Sequence, residues 1–378
     1  MKKVLVTGGA GFIGSNLCLK LLKIGYDVVV LDDLNQQIHG DDVNKSYTYN
    51  LIKDKVKFIK GNVKDREAWD LALTSDIDLV IHLAAETGTG QSMYEIEKYI
   101  STNIGGTAIM WDKIVNENLN VKKVIVASSR AIYGEGKFSC SEHGIVYPEA
   151  RRDSDMQKGD FNVKCPICNK NVKMELTDEN SKSHPTSIYG YTKKAQEEIS
   201  LLIGKAINLP VVAFRFQNVY GPGQSLKNPY TGILSIFSTQ IRNKNNINIF
   251  EDGLETRDFV YIDDVTDAII LSIDNDRADY EVFNVGSGEN INVLMIANTL
   301  KEKYNSAIDI VVSGNYRLGD IKDNQADLTK INKLLGYIPK VNFKTGISNF
   351  VDWVEGQDIE SDNYDKSIEE IKAKGLFK

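Results

Sequence analysis

The sequence has 378 residues, of which 42% are hydrophobic, and its formal net charge is −7. This length allows one large or two modest domains with a buried core, and the negative charge argues against nucleic acid or an anionic membrane as the main partner. No apolar run is long enough to span a bilayer, and the N-terminus enters a predicted strand with no signal peptide. Because the four cysteines suit a reducing compartment, we expect a cytoplasmic protein.

The first stretch, Lys3–Asp33, predicts a β-turn-α-β unit that binds a dinucleotide. An apolar run leads into the glycine turn GGAGFIG, a helical pattern follows, and a second apolar run ends in Asp32. Gly8 allows the sharp turn, and Gly11 lets the backbone approach a pyrophosphate at the positive end of the helix. The Asp32 carboxylate suits both ribose hydroxyls and would repel a 2′-phosphate, so NAD is favoured over NADP.

Strand and helix patterns continue to alternate beyond this unit. The polar segment 35–50 is predicted as a loop with one helical turn, and helices are predicted at 66–73 and 94–118. The further predicted strands are 56–59, 79–83, 124–127 and 211–214. Such alternation predicts an α/β fold, a Rossmann-type doubly wound parallel sheet that binds ligands beyond the carboxyl ends of its strands. The residues at those ends are Gly8–Gly14, Asp32, Asn62, Ala84-Ala85 and Ser129.

A long insertion at 135–182 contains two pairs of metal-ligand residues. They are Cys140 with His143, and Cys165 with Cys168, each pair separated by two residues. This spacing is typical of a tetrahedral Cys₃His zinc site. The insertion is polar and poor in core residues, so a metal could supply the folding free energy that it lacks. The zinc would be structural, because four protein ligands leave no open position; the alternative is a set of surface cysteines without metal.

Several motifs together resemble the extended short-chain dehydrogenase/reductase family, which contains nucleotide-sugar epimerases and dehydratases. The motifs are TGGAGFIG, HLAA, N-x-x-G-T at 103–107, SSRAIYG at 128–134, Tyr189-x-x-x-Lys193, RFQNVYGPGQ at 215–224, RDFVYIDDV at 257–265, FNVGSG at 283–288 and RLGDI at 317–321. The resemblance covers nearly the whole chain. We expect an NAD-binding domain at 1–209, which includes the insertion as a zinc-binding lobe. Residues 210–378 are expected to form mainly a smaller α/β substrate-binding lobe, with some segments returning to the sheet.

The resemblance also implies which residues hold the ligands. The implied cofactor-binding residues are Gly8, Gly11, Phe12, Ile13, Asp32, Asp33, Asn62, Val63, Leu83, Ala84, Ala85, Asn103, Tyr189 and Lys193. The implied substrate-binding residues are Thr87, Gly88, Ser129, Asn218, Arg257 and Arg317. The two arginines are expected to clamp a nucleotide diphosphate, because guanidinium groups match phosphate oxygens. Residues 228–232 are expected to line the nucleotide pocket.

The implied catalytic group is Ser129, Tyr189 and Lys193. Tyr189 and Lys193 are four residues apart and so share one face of a helix. The ammonium is expected to lower the pKa of the phenol toward neutrality, so that Tyr189 can take a proton from a sugar hydroxyl. Ser129 would bind the reacting oxygen.

The residues after Ser129 narrow the expected reaction. Relatives that dehydrate or decarboxylate sugars carry acidic residues there, whereas this chain has Arg130-Ala131. The reaction class that remains is redox chemistry at the sugar without elimination, either epimerisation or simple reduction. The stretches LNQQIHG and TGTGQSMYEI, with the Cys/His insertion, resemble dTDP-L-rhamnose 4-epimerase-like enzymes. We therefore expect C4 epimerisation of a dTDP-linked 6-deoxyhexose with NAD, with a UDP-linked substrate also open. The alternatives are a nucleotide 4-ketosugar reductase, a C2 epimerase and, outside enzymes, an NAD-binding regulatory protein.

Two expectations concern assembly and the C-terminus. By family analogy we expect a homodimer formed by the helix near 94–118 and the helix that carries Tyr189. The charged tail, 357–378, is interpreted as a solvated helix or frayed end without a functional motif.

Overall fold

The structure is a computed structural model that describes residues 2–230 and 232–378. Its strands are β1 (Lys3–Thr7), β2 (Asp27–Asp32), β3 (Lys57–Lys60), β4 (Leu79–His82), β5 (Lys123–Ser129), β6 (Phe138–Cys140), β7 (Gly144–Val146), β8 (Lys173–Met174), β9 (Val211–Phe216), β10 (Asn218–Tyr220), β11 (Ile247–Ile249), β12 (Thr256–Tyr261), β13 (Val282–Val285), β14 (Asn290–Asn292), β15 (Ile310–Val312) and β16 (Asp323–Asn324).

The helices follow the same numbering along the chain. They are α1 (Phe12–Lys23), α2 (Gln36–His39), α3 (Tyr47–Ile52), α4 (Arg66–Ala72), α5 (Thr89–Ser92), α6 (Ile96–Tyr99), α7 (Gly106–Asn116), α8 (Asp153–Met156), α9 (Ile188–Ala206), α10 (Ile233–Arg242), α11 (Ile262–Ile273), α12 (Val293–Lys303), α13 (Thr329–Leu335), α14 (Phe343–Glu355) and α15 (Tyr364–Ala373). A π-helical turn, Ile100–Gly105, joins α6 to α7.

The main sheet is parallel and has the strand order β13-β9-β5-β4-β1-β2-β3. Both of its faces are covered by helices, so its strands are apolar along their length rather than alternating with polar residues. Within β1, Val4 and Val6 pack on one face with α1 and α11, and Leu5 packs on the other with α4 and α7. The strand order changes direction between β1 and β4, and the crevice at their carboxyl ends is where such sheets bind ligands. The predicted α/β fold class is confirmed.

A second lobe lies against this sheet and has its own core. Strands β10, β12, β14 and β16 form one small sheet, and β11 pairs with β15. Helices α10, α12 and α14 bury a separate apolar cluster that includes Phe237, Leu300 and Phe350. Two strands from this half of the sequence, β9 and β13, lie in the main sheet.

The insertion forms a small antiparallel sheet in the order β7-β6-β8. Its apolar cluster is limited to a few side chains, among them Phe138, Val146 and Val163, with Cys140 and Cys165. So little apolar surface supplies little hydrophobic stabilisation.

The prediction of a solvated or frayed C-terminal tail is wrong. Helix α15 packs on the second lobe with Tyr364, Ile368 and Ile371 buried, and Phe377 after it is also buried. The backbone of the last residues pairs with the segment around Arg317. The apolar side chains of α15 recur at intervals of three and four residues, and the many charges between them obscure this stripe in the sequence.

Two smaller differences concern helices. The segment predicted as a loop at 35–50 contains α2 and most of α3. The helix predicted at 94–118 is divided into α6, the π-helical turn and α7. In the described ranges, no helix combines the length and the apolarity needed to cross a membrane.

Candidate active site

A first cavity lies at the carboxyl ends of β1, β2 and β4. The predicted cofactor-binding residues that line this cavity are Gly8, Gly11, Phe12, Ile13, Asp32, Asp33, Asn62, Val63, Leu83, Ala84 and Ala85. The structure therefore brings eleven of them together from four separate loops. No lysine or arginine of the described chain lines the cavity, so it offers no cation for a 2′-phosphate.

The glycine turn explains how a ligand can approach the backbone here. Gly8 has φ +69°, and a Cβ at this position would lie 2.8 Å from the backbone nitrogen of Ala84. A Cβ at Gly14 would lie 2.2 Å from the carbonyl oxygen of Gly8. Side chains are excluded at both positions, because the first helix packs directly on the turn.

Asp32 is fixed at the edge of this first cavity. Its two carboxylate oxygens accept hydrogen bonds from the backbone N–H groups of Ala10 and Leu34, both at 2.9 Å. Burial raises the pKa of Asp32 to about 6. Its neighbour Asp33 accepts a hydrogen bond from Nδ2 of Asn62 at 2.9 Å. These hydrogen bonds fix the Asp32 carboxylate at the cavity edge, and a carboxylate is a group that can accept hydrogen bonds from ribose hydroxyls.

Asn103, another predicted cofactor residue, does not line the first cavity. It is fully buried in the π-helical turn. Its Oδ1 accepts from the N–H of Glu86 at 2.8 Å, and its Nδ2 donates to the Glu86 carbonyl at 3.1 Å and to Thr192 Oγ1 at 2.9 Å. Asn103 thus holds the cavity wall at Glu86 against α9, and its direct contact with a cofactor stays a prediction.

A second cavity adjoins the first and contains two of the predicted catalytic residues. Ser129 and Tyr189 both line it, and Thr87 lines both cavities. Ser129 is the last residue of β5, and Tyr189 lies in the first turn of α9, where its N–H donates to Ser92 Oγ at 3.0 Å. The hydroxyl and the phenol therefore lie together in the second cavity.

Lys193 lies one helical turn beyond Tyr189 and behind the first cavity. It is 3% exposed, and its ammonium donates to the carbonyl of Ala127 at 2.9 Å. Ala127 itself lines the first cavity. Burial lowers the pKa of Lys193 to about 7.

The electrostatic environment of Tyr189 differs from the sequence prediction. Burial raises the pKa of its phenol, while a hydrogen bond with Ser129 and the positive charge of Arg130 act to lower it. We expected Lys193 to lower this pKa toward neutrality, and that expectation is wrong for the ligand-free chain. The Lys193 ammonium is itself desolvated and directed at a backbone carbonyl, so it contributes little to the phenol.

Arg130 was predicted only to mark a departure from the dehydratase pattern and was not among the predicted site residues. Arg130 lines the second cavity and donates through Nε to Oδ1 of Asn218 at 2.8 Å. Asn218, a predicted substrate residue, is thereby fixed beside Ser129. The signal available in the sequence was an arginine directly after Ser129, the predicted catalytic serine.

The two predicted phosphate-binding arginines also line the second cavity. The guanidinium of Arg257 donates to three backbone carbonyls, those of Thr256, Ile321 and Lys322, at 2.7–2.8 Å. These carbonyls fix the group without neutralising its charge. Arg317 lies over the Phe250 ring, 4.9 Å from its centroid, and donates to the hydroxyl of Tyr364 at 3.1 Å.

The remaining predicted substrate residues surround the same space. Thr87 and Gly88 line the second cavity. Within the predicted segment 228–232, Tyr230 and Gly232 line the second cavity, Asn228 lines the first, and Thr231 lies outside the described residues. Tyr364, from the tail that we had assigned no function, also lines the second cavity.

A buried arginine ties the insertion to the wall of the second cavity. Arg151 donates to Glu251 Oε1 at 2.8 Å, to Glu135 Oε1 at 3.2 Å and to the carbonyl of Asp320 at 2.9 Å. Glu251 and Asp320 line the second cavity. The insertion is thus joined rigidly to the site, although its four metal-ligand residues lie outside both cavities.

The four predicted metal ligands lie together. Their ligand atoms are all within 4.8 Å of one another. Cys140 Sγ is 3.6 Å from His143 Nδ1 and 3.7 Å from Cys168 Sγ, and Cys165 Sγ is 3.7 Å from the same histidine nitrogen. A tetrahedral zinc shell with Zn–S bonds of about 2.3 Å places its ligands roughly 3.8 Å apart, so the cluster fits a metal ion. Cys18 is buried in the core on α1, away from this group.

Comparison with known proteins places this geometry in context. The family model of the NAD dependent epimerase/dehydratase family matches residues 4–151 and 167–286. A dTDP-L-rhamnose 4-epimerase of Burkholderia thailandensis is 38% identical over 355 residues, 93% of this chain and 95% of that protein. The match of the family model leaves out part of the insertion and everything after residue 286.

Two solved structures are similar over most of the chain. A UDP-glucose 4-epimerase of Thermotoga maritima with UDP-glucose has a TM-score of 0.75 and 30% identity, and covers 94% of this chain and 99% of its own. A UDP-glucuronic acid 4-epimerase of Bacillus cereus in complex with UDP-glucuronic acid and NAD has a TM-score of 0.74 and 26% identity, with the same coverage.

Proposed function

The chain belongs to the NAD-dependent epimerase/dehydratase family, and we propose that it is a nucleotide-sugar 4-epimerase acting on a dTDP-linked 6-deoxyhexose of the L-rhamnose type. The predicted family is confirmed. The observation that carries the proposal is the second cavity, where Ser129 and Tyr189 lie together with Arg130, the residue at the position where dehydratases carry an acid. The 38% identical relative supports the choice of sugar.

The first cavity suits NAD. Asp32 would hold the ribose, and the turn Gly8–Gly14 with the start of α1 would hold the pyrophosphate. When bound, NAD supplies the group that accepts a hydride from the sugar carbon and returns it. The absence of lysine and arginine from the lining of the described cavity supports NAD rather than NADP.

The residues of the second cavity move the proton and hold the sugar. Tyr189, in its phenolate form, takes the proton of the C4 hydroxyl as hydride leaves the carbon, which leaves a 4-keto sugar. Ser129 donates a hydrogen bond to the oxygen as the carbonyl develops. The sugar turns within the cavity, hydride returns to its opposite face, and Tyr189 gives the proton back. The reaction therefore consumes no net cofactor.

Arg257 and Arg317 would hold the nucleotide diphosphate. Both guanidinium groups line the second cavity, and no carboxylate of the described chain pairs with either of them. A protein with net charge −7 needs such local cations to bind a dianion.

Incubation of the purified protein with dTDP-L-rhamnose and no added cofactor, followed by NMR, tests this function. A second anomeric signal that reaches equilibrium with the first is expected, because NAD is regenerated in each cycle. No conversion under these conditions, with conversion of a 4-keto sugar when NADH is added, would contradict the proposal and indicate a 4-ketosugar reductase. A product inverted at C2 would contradict the C4 assignment.

A structural zinc ion in the Cys140, His143, Cys165 and Cys168 cluster is part of the proposal. The close approach of these four atoms supports it, and four protein ligands leave the ion no position for substrate. Its contribution would be to stabilise the insertion, whose apolar core is small.

We also propose a homodimer through the face formed by α6, α7 and α9. This face exposes apolar side chains, among them Tyr191, Leu202 and Val115. A second copy of the same face is the partner expected by family analogy, with the two helix pairs packed together. The molar mass from light scattering is expected to fall from dimer to monomer on Leu202→Glu, whereas Leu271→Glu, an exposed leucine on α11, is expected to leave it unchanged.

A further inference from the structure

Gln217 is a buried amide whose hydrogen-bonding groups are not used by the protein. Its side chain is 5% exposed, and neither Oε1 nor Nε2 has a hydrogen-bond partner among the described residues. Leaving a buried donor and a buried acceptor unpaired costs free energy. Native proteins therefore rarely leave both polar atoms of one buried amide without hydrogen bonds unless the amide has a function.

The place of Gln217 points to the reacting end of the substrate cavity. It follows directly after Phe216, which lies opposite Ser129 in the parallel pairing of β9 with β5. Its backbone N–H donates to the carbonyl of Val285 at 2.9 Å, so its backbone is held by the next strand of the sheet. Gln217 lines the second cavity together with Ser129 and Tyr189 and does not line the first.

The chemistry of the neighbouring groups separates the parts of a nucleotide sugar. Arg257 and Arg317 are cations and suit the diphosphate, whereas Ser129 and Tyr189 suit the hydroxyl that is oxidised. A carboxamide is neutral and offers one acceptor and two donor hydrogens. Sugar hydroxyls, which each donate and accept, are its matching partners.

We propose that Gln217 is a specificity-determining residue that binds a ring hydroxyl of the hexose other than the hydroxyl that reacts. This inference rests on the proposed function, since it takes the ligand of the second cavity to be a nucleotide sugar. The amide regains its lost hydrogen bonds only when the correct hydroxyl is present. A sugar that lacks this hydroxyl leaves the amide unpaired and is rejected, as sites built around a buried polar group reject deoxy analogues.

The test compares Gln217→Met with the wild-type enzyme by calorimetric titration of dTDP-L-rhamnose and of dTDP alone. Methionine has a similar shape but no amide. We expect the affinity for the nucleotide sugar to fall by about tenfold or more and the affinity for dTDP to change by less than about twofold. We expect the melting temperature of the ligand-free variant to stay the same or rise, because an unpaired buried amide has been removed.

Gln240→Met serves as the matched control. Gln240 is 4% exposed, its Oε1 also lacks a partner in the described chain, and it lines neither cavity. This variant is expected to bind both ligands as the wild type does. Equal losses for dTDP and the nucleotide sugar in Gln217→Met, or no loss for either, would overturn the inference.

Deoxy analogues identify the hydroxyl. The analogues are the 2-deoxy and 3-deoxy forms of the sugar nucleotide. The wild-type enzyme is expected to bind at least one of them more weakly than the parent sugar, whereas Gln217→Met is expected to bind that analogue and the parent sugar equally well. If both analogues weaken binding equally in the two proteins, the inference fails. All titrations use a nucleotide sugar that the wild-type enzyme turns over. If dTDP-L-rhamnose is not a substrate, the wild-type measurement shows this, and the comparison between wild type and Gln217→Met is then made with the nucleotide sugar that is turned over.

Discussion

Nε of Arg130 donates a hydrogen bond to Oδ1 of Asn218 at 2.8 Å, across 88 positions of sequence. The contact joins the residue after Ser129, which ends β5, to the first residue of β10. Arg130, Asn218 and Tyr189 all line the second cavity. The positive charge of Arg130 acts to lower the pKa of the Tyr189 phenol, whereas the Lys193 ammonium donates to the carbonyl of Ala127.

Replacement of Arg130 by methionine is expected to shift the rising, low-pH limb of the kcat profile to higher pH. The positive charge of Arg130 acts to lower the pKa of Tyr189, which burial raises. Removing that charge raises the pKa further, so less phenolate is present at a given pH. Arg130→Lys keeps the charge and is expected to leave the limb close to that of the wild type. A limb that stays in place in the methionine variant would contradict this role.

Replacement of Tyr189 by phenylalanine is expected to reduce turnover by at least about 10²-fold, because the proton-transfer group is removed. NAD is expected to remain bound, since Tyr189 lies in the second cavity and Asp32 and the glycine turn are unchanged. Turnover by NMR and the bound nucleotide released on denaturation measure the two effects. Tyr191→Phe, an exposed tyrosine on the same helix, is the control and is expected to retain activity.

Binding of NAD is expected to weaken as the pH falls through about 6. Burial raises the pKa of Asp32 to about 6, so the carboxylate that accepts from the ribose is present above this pH and becomes a neutral acid below it. Retention of NAD through gel filtration at a series of pH values measures the effect. The Asp32→Asn variant is expected to bind NAD weakly at every pH, with no change in binding near pH 6. The Asp27→Asn variant, altered at the exposed start of the same strand, is expected to show the same pH-dependent change in NAD binding as the wild type.

Zinc analysis of the purified protein is expected to give about one ion per chain, in line with a single four-ligand site. Cys168→Ser is expected to lose the ion and to lower the melting temperature by at least about 5 °C, because the insertion then loses the metal that stabilises it. Cys18→Ser, a core cysteine outside the cluster, is expected to keep the ion. A wild-type protein without zinc, or a Cys168→Ser variant that keeps it, would contradict the site.

Much of the site could be predicted because its signals are local in sequence. The glycine turn and Asp32 lie within one β-turn-α-β unit, whose spacing fixes both relative to the sheet. The position of Tyr189 and Lys193 on one side of α9 follows from helical geometry. The four metal ligands occur as two closely spaced pairs, and the paired spacing alone indicated the cluster that the structure assembles.

The tertiary structure decided the contacts between residues that are far apart in sequence. In the folded chain, Arg130 donates a hydrogen bond to Asn218, Arg151 of the insertion donates one to Glu251, and Arg317 donates one to Tyr364 of the tail. No periodicity or spacing records such pairings, because they depend on how separate elements meet.

Burial is likewise a property of the folded chain. The pKa of Tyr189 rises because of the surface that the folded chain covers, and a sequence carries no measure of that surface. Gln217 is an ordinary polar residue in the sequence. In the folded chain its amide is buried and has no hydrogen-bond partner among the described residues. The sequence thus determined the sheet, the cofactor unit and the candidate reacting groups, whereas long-range packing decided the charge around the Tyr189 phenol and the burial of the Gln217 amide.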